Sequence, residues 1–348
     1  MLRVRDLSVD YLGDTADTHA VRGVSFELSR GELLGLAGES GCGKSTLAYA
    51  VARLLRAPAV VTGGSVVFED AEGPVDVLSL GSEKLRLFRW SRISMVFQSA
   101  MNALNPVRSL QRQLEDVFTA HHPRMTKVER VRRCRELVET VGIDPGRLPA
   151  YPHELSGGMR QRAMIAMALA LQPDVIIMDE PTTALDVVVQ RDILLEINRL
   201  RAELGFSVLF ITHDISLLLQ ISDRVAIMYA GKIVEVGTAE HIRDHPGHPY
   251  TAGLLGSFPD LHGPRRDMRG IPGSPPDLSQ PLRGCQFRER CPYAFAACAD
   301  VEPPLVQVGA TRAACLLHDR DVNPGGAPPA ELRGAFPAPA GGTEEGSA

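Results

Sequence analysis

No stretch of the 348-residue sequence approaches the roughly 18 uninterrupted apolar residues that a membrane-spanning helix requires. A basic surplus is missing too: 37 Lys and Arg stand against 42 Asp and Glu, a net charge of −5, so a nucleic-acid partner is not expected. The basic run at Arg130, Arg132 and Arg133 sits in a helical pattern beside Glu129, Glu136 and Glu139 and reads as a solvated helix face. The N-terminus, Met1-Leu2-Arg3-Val4-Arg5-Asp6, interleaves charges with apolar residues and lacks the apolar core of an export signal. The chain is therefore expected in the cytosol, where thiols stay reduced. Its six cysteines are read as thiols or metal ligands rather than disulfides. Internal repeats are absent as well. What remains, 44% apolar and 23% charged residues, is ordinary for a globular protein with one large or two smaller domains.

Residues 1–35 alternate apolar and polar side chains, with Val4, Leu7 and Val9, then Val24, Phe26 and Leu28, which predicts antiparallel strands. A buried strand through Leu33-Leu34-Gly35-Leu36-Ala37 runs into a glycine-rich turn. A helix should follow, with Leu47, Val51, Leu54 and Leu55 on one face. From Met101 to Ala170 the pattern is mainly helical, interrupted at Pro152 and at Gly157-Gly158. Beyond it, Val175-Ile176-Ile177-Met178 and Ser207-Val208-Leu209-Phe210-Ile211 read as strands separated by a helix, the alternation of a parallel α/β sheet. Residues 224–228 and 233–236 predict a closing hairpin turning at Ala230-Gly231.

The turn after the first buried strand is Gly38-Glu39-Ser40-Gly41-Cys42-Gly43-Lys44-Ser45-Thr46, the phosphate-loop pattern in its required strand-to-helix setting. Glycines there let backbone N–H groups converge on phosphate oxygens, and the helix N-terminus adds positive potential. Lys44 suits the β- and γ-phosphates of ATP, and the Ser45 hydroxyl suits Mg²⁺. The strand through Val175 ends in Asp179 and Glu180. In a doubly wound sheet that end lies beside the phosphate loop. Asp179 is assigned to Mg²⁺ and Glu180 to the attacking water, with exposed strand-capping carboxylates as the plainer alternative.

Further segments fall in order around these two. Leu155-Ser156-Gly157-Gly158-Met159 resembles the ABC signature, with Met159 where most members carry Gln. Gln98 matches the Q-loop, Ala184-Leu185-Asp186 the D-loop, and His213 the switch histidine. Residues 1–260 thus resemble the ABC-transporter ATPases. The resemblance implies a P-loop cassette with a parallel core sheet, an antiparallel β subdomain and a helical signature subdomain over about 101–165. It also implies that Tyr11 stacks on adenine and that Gln98 touches Mg²⁺ or the water. Glu180, His213 and Lys44 would carry catalysis, while Ser156, Gly157, Gly158 and Asp186 would complete a nucleotide site of a second cassette paired head to tail.

Leu104-Asn105-Pro106, Tyr151-Pro152-His153-Glu154, His248-Pro249-Tyr250-Thr251 and Ile271-Pro272-Gly273 narrow the likeness to the oligopeptide/dipeptide importer ATPases, with a C-terminal region over 246–318. For that branch the implied partners are a second, different ATPase subunit, two transmembrane permeases and an extracytoplasmic solute-binding protein. The implied location is the cytoplasmic face of the membrane, and the implied solute a peptide, with nickel or another small solute as alternatives. A soluble ABC protein acting on ribosomes or DNA is the rival of another class. Its usual marks, two cassettes in one chain or a long coiled-coil insertion, are lacking. A cassette that binds ATP without turnover is a third reading, and Glu180 and His213 argue against it.

Within the C-terminal region, Cys285, Cys291, Cys298 and Cys315 gather in a proline-rich stretch. Four thiolates suit a tetrahedral zinc or an iron–sulfur cluster, and a segment without metal is the third possibility. Tight C-x2–4-C knuckles are missing and a Cys291-Pro292 step is present, which favours the cluster; the branch resemblance implies [4Fe–4S] here. Cys42 and Cys134 stand apart as a loop filler and a helix residue. Residues 322–348, rich in Pro, Ala and Gly, are expected to be disordered.

Overall fold

A computed structural model describes residues 1–70, 73–98, 103–183, 185–257 and 270–323, together with Leu332. Strands β1 (Leu2–Tyr11), β2 (Thr18–Leu28) and β3 (Leu33–Ala37) lead to helix α1 (Lys44–Val51). Strands β4 (Ala59–Asp70) and β5 (Gly73–Asp76), helix α2 (Ser82–Ser91) and strand β6 (Ile93–Val96) follow. Helices α3 (Leu110–His121), α4 (Lys127–Thr140) and α5 (Gly157–Leu169) precede β7 (Val175–Asp179). Then come α6 (Val187–Leu204), β8 (Ser207–Ile211), α7 (Ile215–Ile221), β9 (Arg224–Tyr229) and β10 (Lys232–Thr238). The chain continues with α8 (Ala239–Asp244), α9 (Pro249–Gly256) and the short strands β11 (Val306–Val308) and β12 (Thr311–Ala313).

Two sheets carry the fold. An antiparallel sheet in the order β2-β1-β4-β5 buries Leu2, Val4, Leu7 and Val9 of β1 against Val24, Phe26 and Leu28 of β2. The second sheet runs β11-β12-β10-β9-β3-β8-β7-β6. Its β9-β3-β8-β7-β6 stretch is parallel, and β3, β7 and β8 are buried along their whole length because helices α3–α7 cover one face while α1 and the antiparallel sheet cover the other. The hairpin β9–β10 turns through Ala230 and Gly231, both at positive φ (47° and 80°), the backbone that a tight two-residue turn demands. Helices α3, α4 and α5 pack on one another around Leu114, Phe118, Cys134, Val138 and Ile165.

Two local expectations are corrected. The helix after the phosphate loop ends at Val51, and Arg53 in a left-handed conformation (φ 53°) turns the chain before Leu54 and Leu55, which pack against the core from outside the helix. Gly157 and Gly158 do not interrupt a helix but open α5, because the Ser156 side chain caps it by accepting a hydrogen bond from the Met159 N–H at 3.2 Å. The start of the helical stretch at Met101, Ala184 and most of the 322–348 tail lie outside the described residues. The C-terminal region is not an appendage: β12 pairs with β10 and extends the main sheet.

Candidate functional site

The phosphate loop leaves the C-terminal end of β3 and enters α1, with Gly38, Gly41 and Gly43 at φ 153°, 79° and 102°. Glycine is required at Gly43, where an added Cβ would come within 2.2 Å of the Ala20 carbonyl oxygen. Lys44, only 6% exposed, lays its ammonium back over the loop and donates to the carbonyls of Gly38 and Glu39, each at 2.8 Å. Cys42 is buried beneath the loop, and Tyr11 reaches it from the antiparallel sheet, its hydroxyl 3.1 Å from that of Thr46.

Parallel pairing of β3 with β8 and of β8 with β7 brings the ends of these strands together. The Ser45 hydroxyl donates to Asp179 Oδ1 at 3.1 Å. Burial raises the Asp179 pKa above the usual carboxylate range, only partly offset by that bond. Its other oxygen, Oδ2, is buried without a hydrogen-bond partner. A hydroxyl and a buried, half-satisfied carboxylate beside a phosphate loop fit a hard divalent cation such as Mg²⁺.

Glu180, next in the chain, stands at φ 45°, a left-handed backbone that costs a non-glycine residue energy and marks functional positions. The carboxylate it presents is gripped from three sides. Gln98 Nε2 donates to Oε2 at 3.0 Å, the Thr183 hydroxyl to the same oxygen at 3.1 Å, and His213 Nδ1 lies 3.2 Å from Oε1. An oriented carboxylate in this setting is equipped to position a water and take its proton.

Ser156 and Asp186 serve as N-caps, Asp186 accepting from the Val189 N–H at 2.9 Å. Among the described residues, no hydrogen bond or ion pair joins Ser156, Gly157, Gly158 or Asp186 to the phosphate loop of the same chain.

Two partners of the loop were not read from the sequence. The Tyr250 hydroxyl accepts from the Glu39 N–H at 2.9 Å, and Arg290 holds the Glu39 carboxylate with both arms of its guanidinium at 2.6 and 2.8 Å. An acidic residue inside a phosphate loop was the available signal, since it calls for a counter-charge from elsewhere.

Cys285, Cys291, Cys298 and Cys315 line one small cavity with His248 and Phe287. Burial pushes the Cys291 and Cys315 thiols up to about 12, and the neighbouring thiols add to the shift. Among the described residues, no three His, Cys, Asp or Glu side chains form a group able to hold a metal ion. That observation supports neither a zinc site nor an iron–sulfur cluster at these cysteines. Four cysteine sulfurs on one cavity are the donor type that zinc sites and iron–sulfur clusters share.

The fold and site define a P-loop ATPase of the ATP-binding cassette type. The model of the ABC transporter family matches residues 21–183, and that of the oligopeptide/dipeptide transporter C-terminal region matches residues 234–298. The chain is 43% identical over 326 residues to a probable peptide ABC transporter ATP-binding protein of Sinorhizobium fredii, covering 92% of this chain and 96% of the relative. It is 42% identical to the dipeptide transport ATP-binding protein DppD of Bacillus subtilis, covering 92% and 95%. To the oligopeptide transport ATP-binding protein OppD of Escherichia coli it is 41% identical, covering 87% and 89%. The dimeric cassette MJ0796, solved in a post-hydrolysis state bound to ADP and Pi, superposes with a TM-score of 0.60 at 26% identity over 69% of this chain and 99% of that one. The chain belongs to the ATP-binding subunits of ABC transporters, and it is an ATPase.

Proposed function

We propose that this subunit hydrolyses ATP to drive uptake of di- or oligopeptides through an importer, working from the cytoplasmic face of the membrane. The observation that carries the catalytic part is the Glu180 carboxylate, gripped by Gln98, Thr183 and His213 beside the Ser45–Asp179 pair. The peptide solute is supported by relatives named for dipeptide and oligopeptide transport. Among the described residues no helix is long and apolar enough to cross a membrane, so the path for the solute belongs to permease subunits.

In this reading the loop N–H groups and Lys44 hold the triphosphate, and Tyr11 carries the adenine. Mg²⁺ held by Ser45 and Asp179 supplies charge neutralisation on the phosphates. Glu180 orients the attacking water and takes its proton, and His213 keeps that carboxylate in register. Gln98, hydrogen-bonded to Glu180, reports nucleotide state to the permeases. Among the described residues Ser156, Gly157 and Gly158 carry no hydrogen bond to the loop of their own chain, which supports their use on the nucleotide of a second cassette, with Asp186 at the same seam. The full assembly is then a pair of related but different ATPases, two permeases and an extracytoplasmic binding protein. ATP stabilises the closed pair, and its cleavage lets the pair open. For the cysteine cavity the reading is a structural [4Fe–4S] cluster on Cys285, Cys291, Cys298 and Cys315, supported by the four-sulfur donor set.

Glu180→Gln should lower phosphate release by about 100-fold or more while leaving ATP affinity within a few-fold. In vesicles carrying the assembled importer, the same variant should stop uptake of a labelled dipeptide or tripeptide. Undiminished phosphate release by Glu180→Gln would remove Glu180 from its role.

A further inference from the structure

The least expected polar contact of the ATP site comes from the far end of the chain. Glu39 lies in the phosphate loop, and its carboxylate is taken up bidentately by Arg290, 251 residues later. Arg290 is almost fully buried, with a side chain 5% exposed against 26% for Glu39. Two of its other donors are also placed: Nε donates to the Pro272 carbonyl at 2.8 Å, and one terminal nitrogen reaches the Tyr229 hydroxyl at 3.3 Å. The guanidinium stands 5.8 Å from the ring centre of Tyr229 and 6.0 Å from that of Phe287. Tyr229, Phe287 and Tyr250 pack on one another, and the Tyr250 hydroxyl accepts from the Glu39 backbone N–H. Both the carboxylate and the amide of Glu39 are therefore fixed by residues that lie outside the nucleotide-binding sheet edge.

This contact has an electrostatic consequence. A carboxylate in the loop that receives a polyphosphate repels the ligand unless its charge is neutralised and turned away. A planar, two-armed guanidinium does both at once, and a single ammonium does not reproduce its geometry. Removing one partner of such a buried pair leaves the other charge uncompensated. Here the surviving charge would be the carboxylate, at the mouth of the phosphate site.

We propose that Arg290 is a positioning residue of the ATP site: it holds Glu39 away from the bound phosphates and so makes the C-terminal region a determinant of nucleotide affinity. Arg290 immediately precedes Cys291, so the clamp and the cysteine cavity share one turn of chain. The proposal rests on the reading that the loop at Gly38–Thr46 binds the phosphates of ATP.

The test is ATP affinity of the full-length subunit and steady-state ATPase kinetics of the assembled importer carrying it, with the subunit's melting temperature followed in parallel. Arg290→Ala should raise the Kd and KM for ATP about tenfold or more while kcat stays within about threefold. Arg290→Lys should fall between the two, because charge remains and the fork is lost. The deciding variant is Arg290→Ala combined with Glu39→Gln, which removes the repelling charge and should restore affinity to within about threefold of the wild type. A merely structural Arg290 predicts no such rescue. Arg290→Lys supplies the same KM-against-kcat readout should Arg290→Ala fail to fold. Wild-type affinity in both single variants, or a folded double variant that stays weak, overturns the proposal. Lys44→Ala separates the two readings. Lost ATP binding in Lys44→Ala with no effect of Arg290 variants sinks the clamp alone, whereas unchanged binding in Lys44→Ala sinks the phosphate-loop reading beneath it.

Discussion

Glu180 and Asp179 are neighbours in sequence with opposite surroundings. Asp179 is fully buried with one oxygen bonded to Ser45, whereas Glu180 turns out of the strand into a ring of side-chain donors. The left-handed backbone at Glu180 makes that turn, and no sequence pattern announced it. A second buried carboxylate lies away from the nucleotide. Glu235 of β10 accepts from the N–H groups of Gly247 and His248 at 2.6 and 2.9 Å, tying the sheet to the start of α9. Burial raises it to about 7, whereas burial lowers the adjoining His248, with His318 adding to the shift, to about 3. As pH falls from 7 toward 4.5, folded Glu235 takes its proton before the unfolded chain does, and its contribution to stability grows. His248 acts oppositely, since below about 6.5 the unfolded chain binds a proton that the folded state refuses. Glu235→Gln removes the carboxyl's pH dependence and keeps that of His248. The melting temperature of wild type should rise relative to that of Glu235→Gln as pH is lowered from 7.5 to 5, and a constant difference would count against this account.

At the scale of elements, caps and turns explain where helices begin and end better than apolar periodicity does. Periodicity through Leu47 and Val51 continues to Leu54 and Leu55, yet the helix stops where the backbone at Arg53 reverses hand. The signature glycines, poor helix formers in the interior, occupy the first turn, where Ser156 satisfies a free N–H. Helix α6 ends at Gly205, left-handed at φ 75° with open space around an added Cβ. Gly205→Ala should therefore cost about 1 kcal/mol through backbone strain alone. Gly205→Asn should cost less, and ATPase activity should stay unchanged in both. Urea unfolding midpoints measure the difference, and equal midpoints for all three would show that the position tolerates a side chain freely.

For the whole molecule, the C-terminal region is bound to the cassette at three kinds of contact: the β12–β10 pairing, the Glu235 latch and the Arg290 clamp. If its cysteines hold an iron–sulfur cluster, anaerobically purified protein should be brown and contain iron, and Cys291→Ser should lose both. A colourless, iron-free wild type would leave the cavity as a packing feature. The motif residues were legible in sequence because the phosphate loop, signature, Asp179-Glu180 pair and His213 each need particular side chains at short, local spacings. Strands β3, β7 and β8 were legible because burial on both faces leaves unbroken apolar runs. Strands β4 and β5, the hairpin β11–β12 and the hold of Arg290 on Glu39 were not. The sequence by itself determined the chemistry available at each strand end. Only the tertiary structure decided which distant charge reaches the phosphate loop, because a partner 251 residues away leaves no local period and is selected by packing alone.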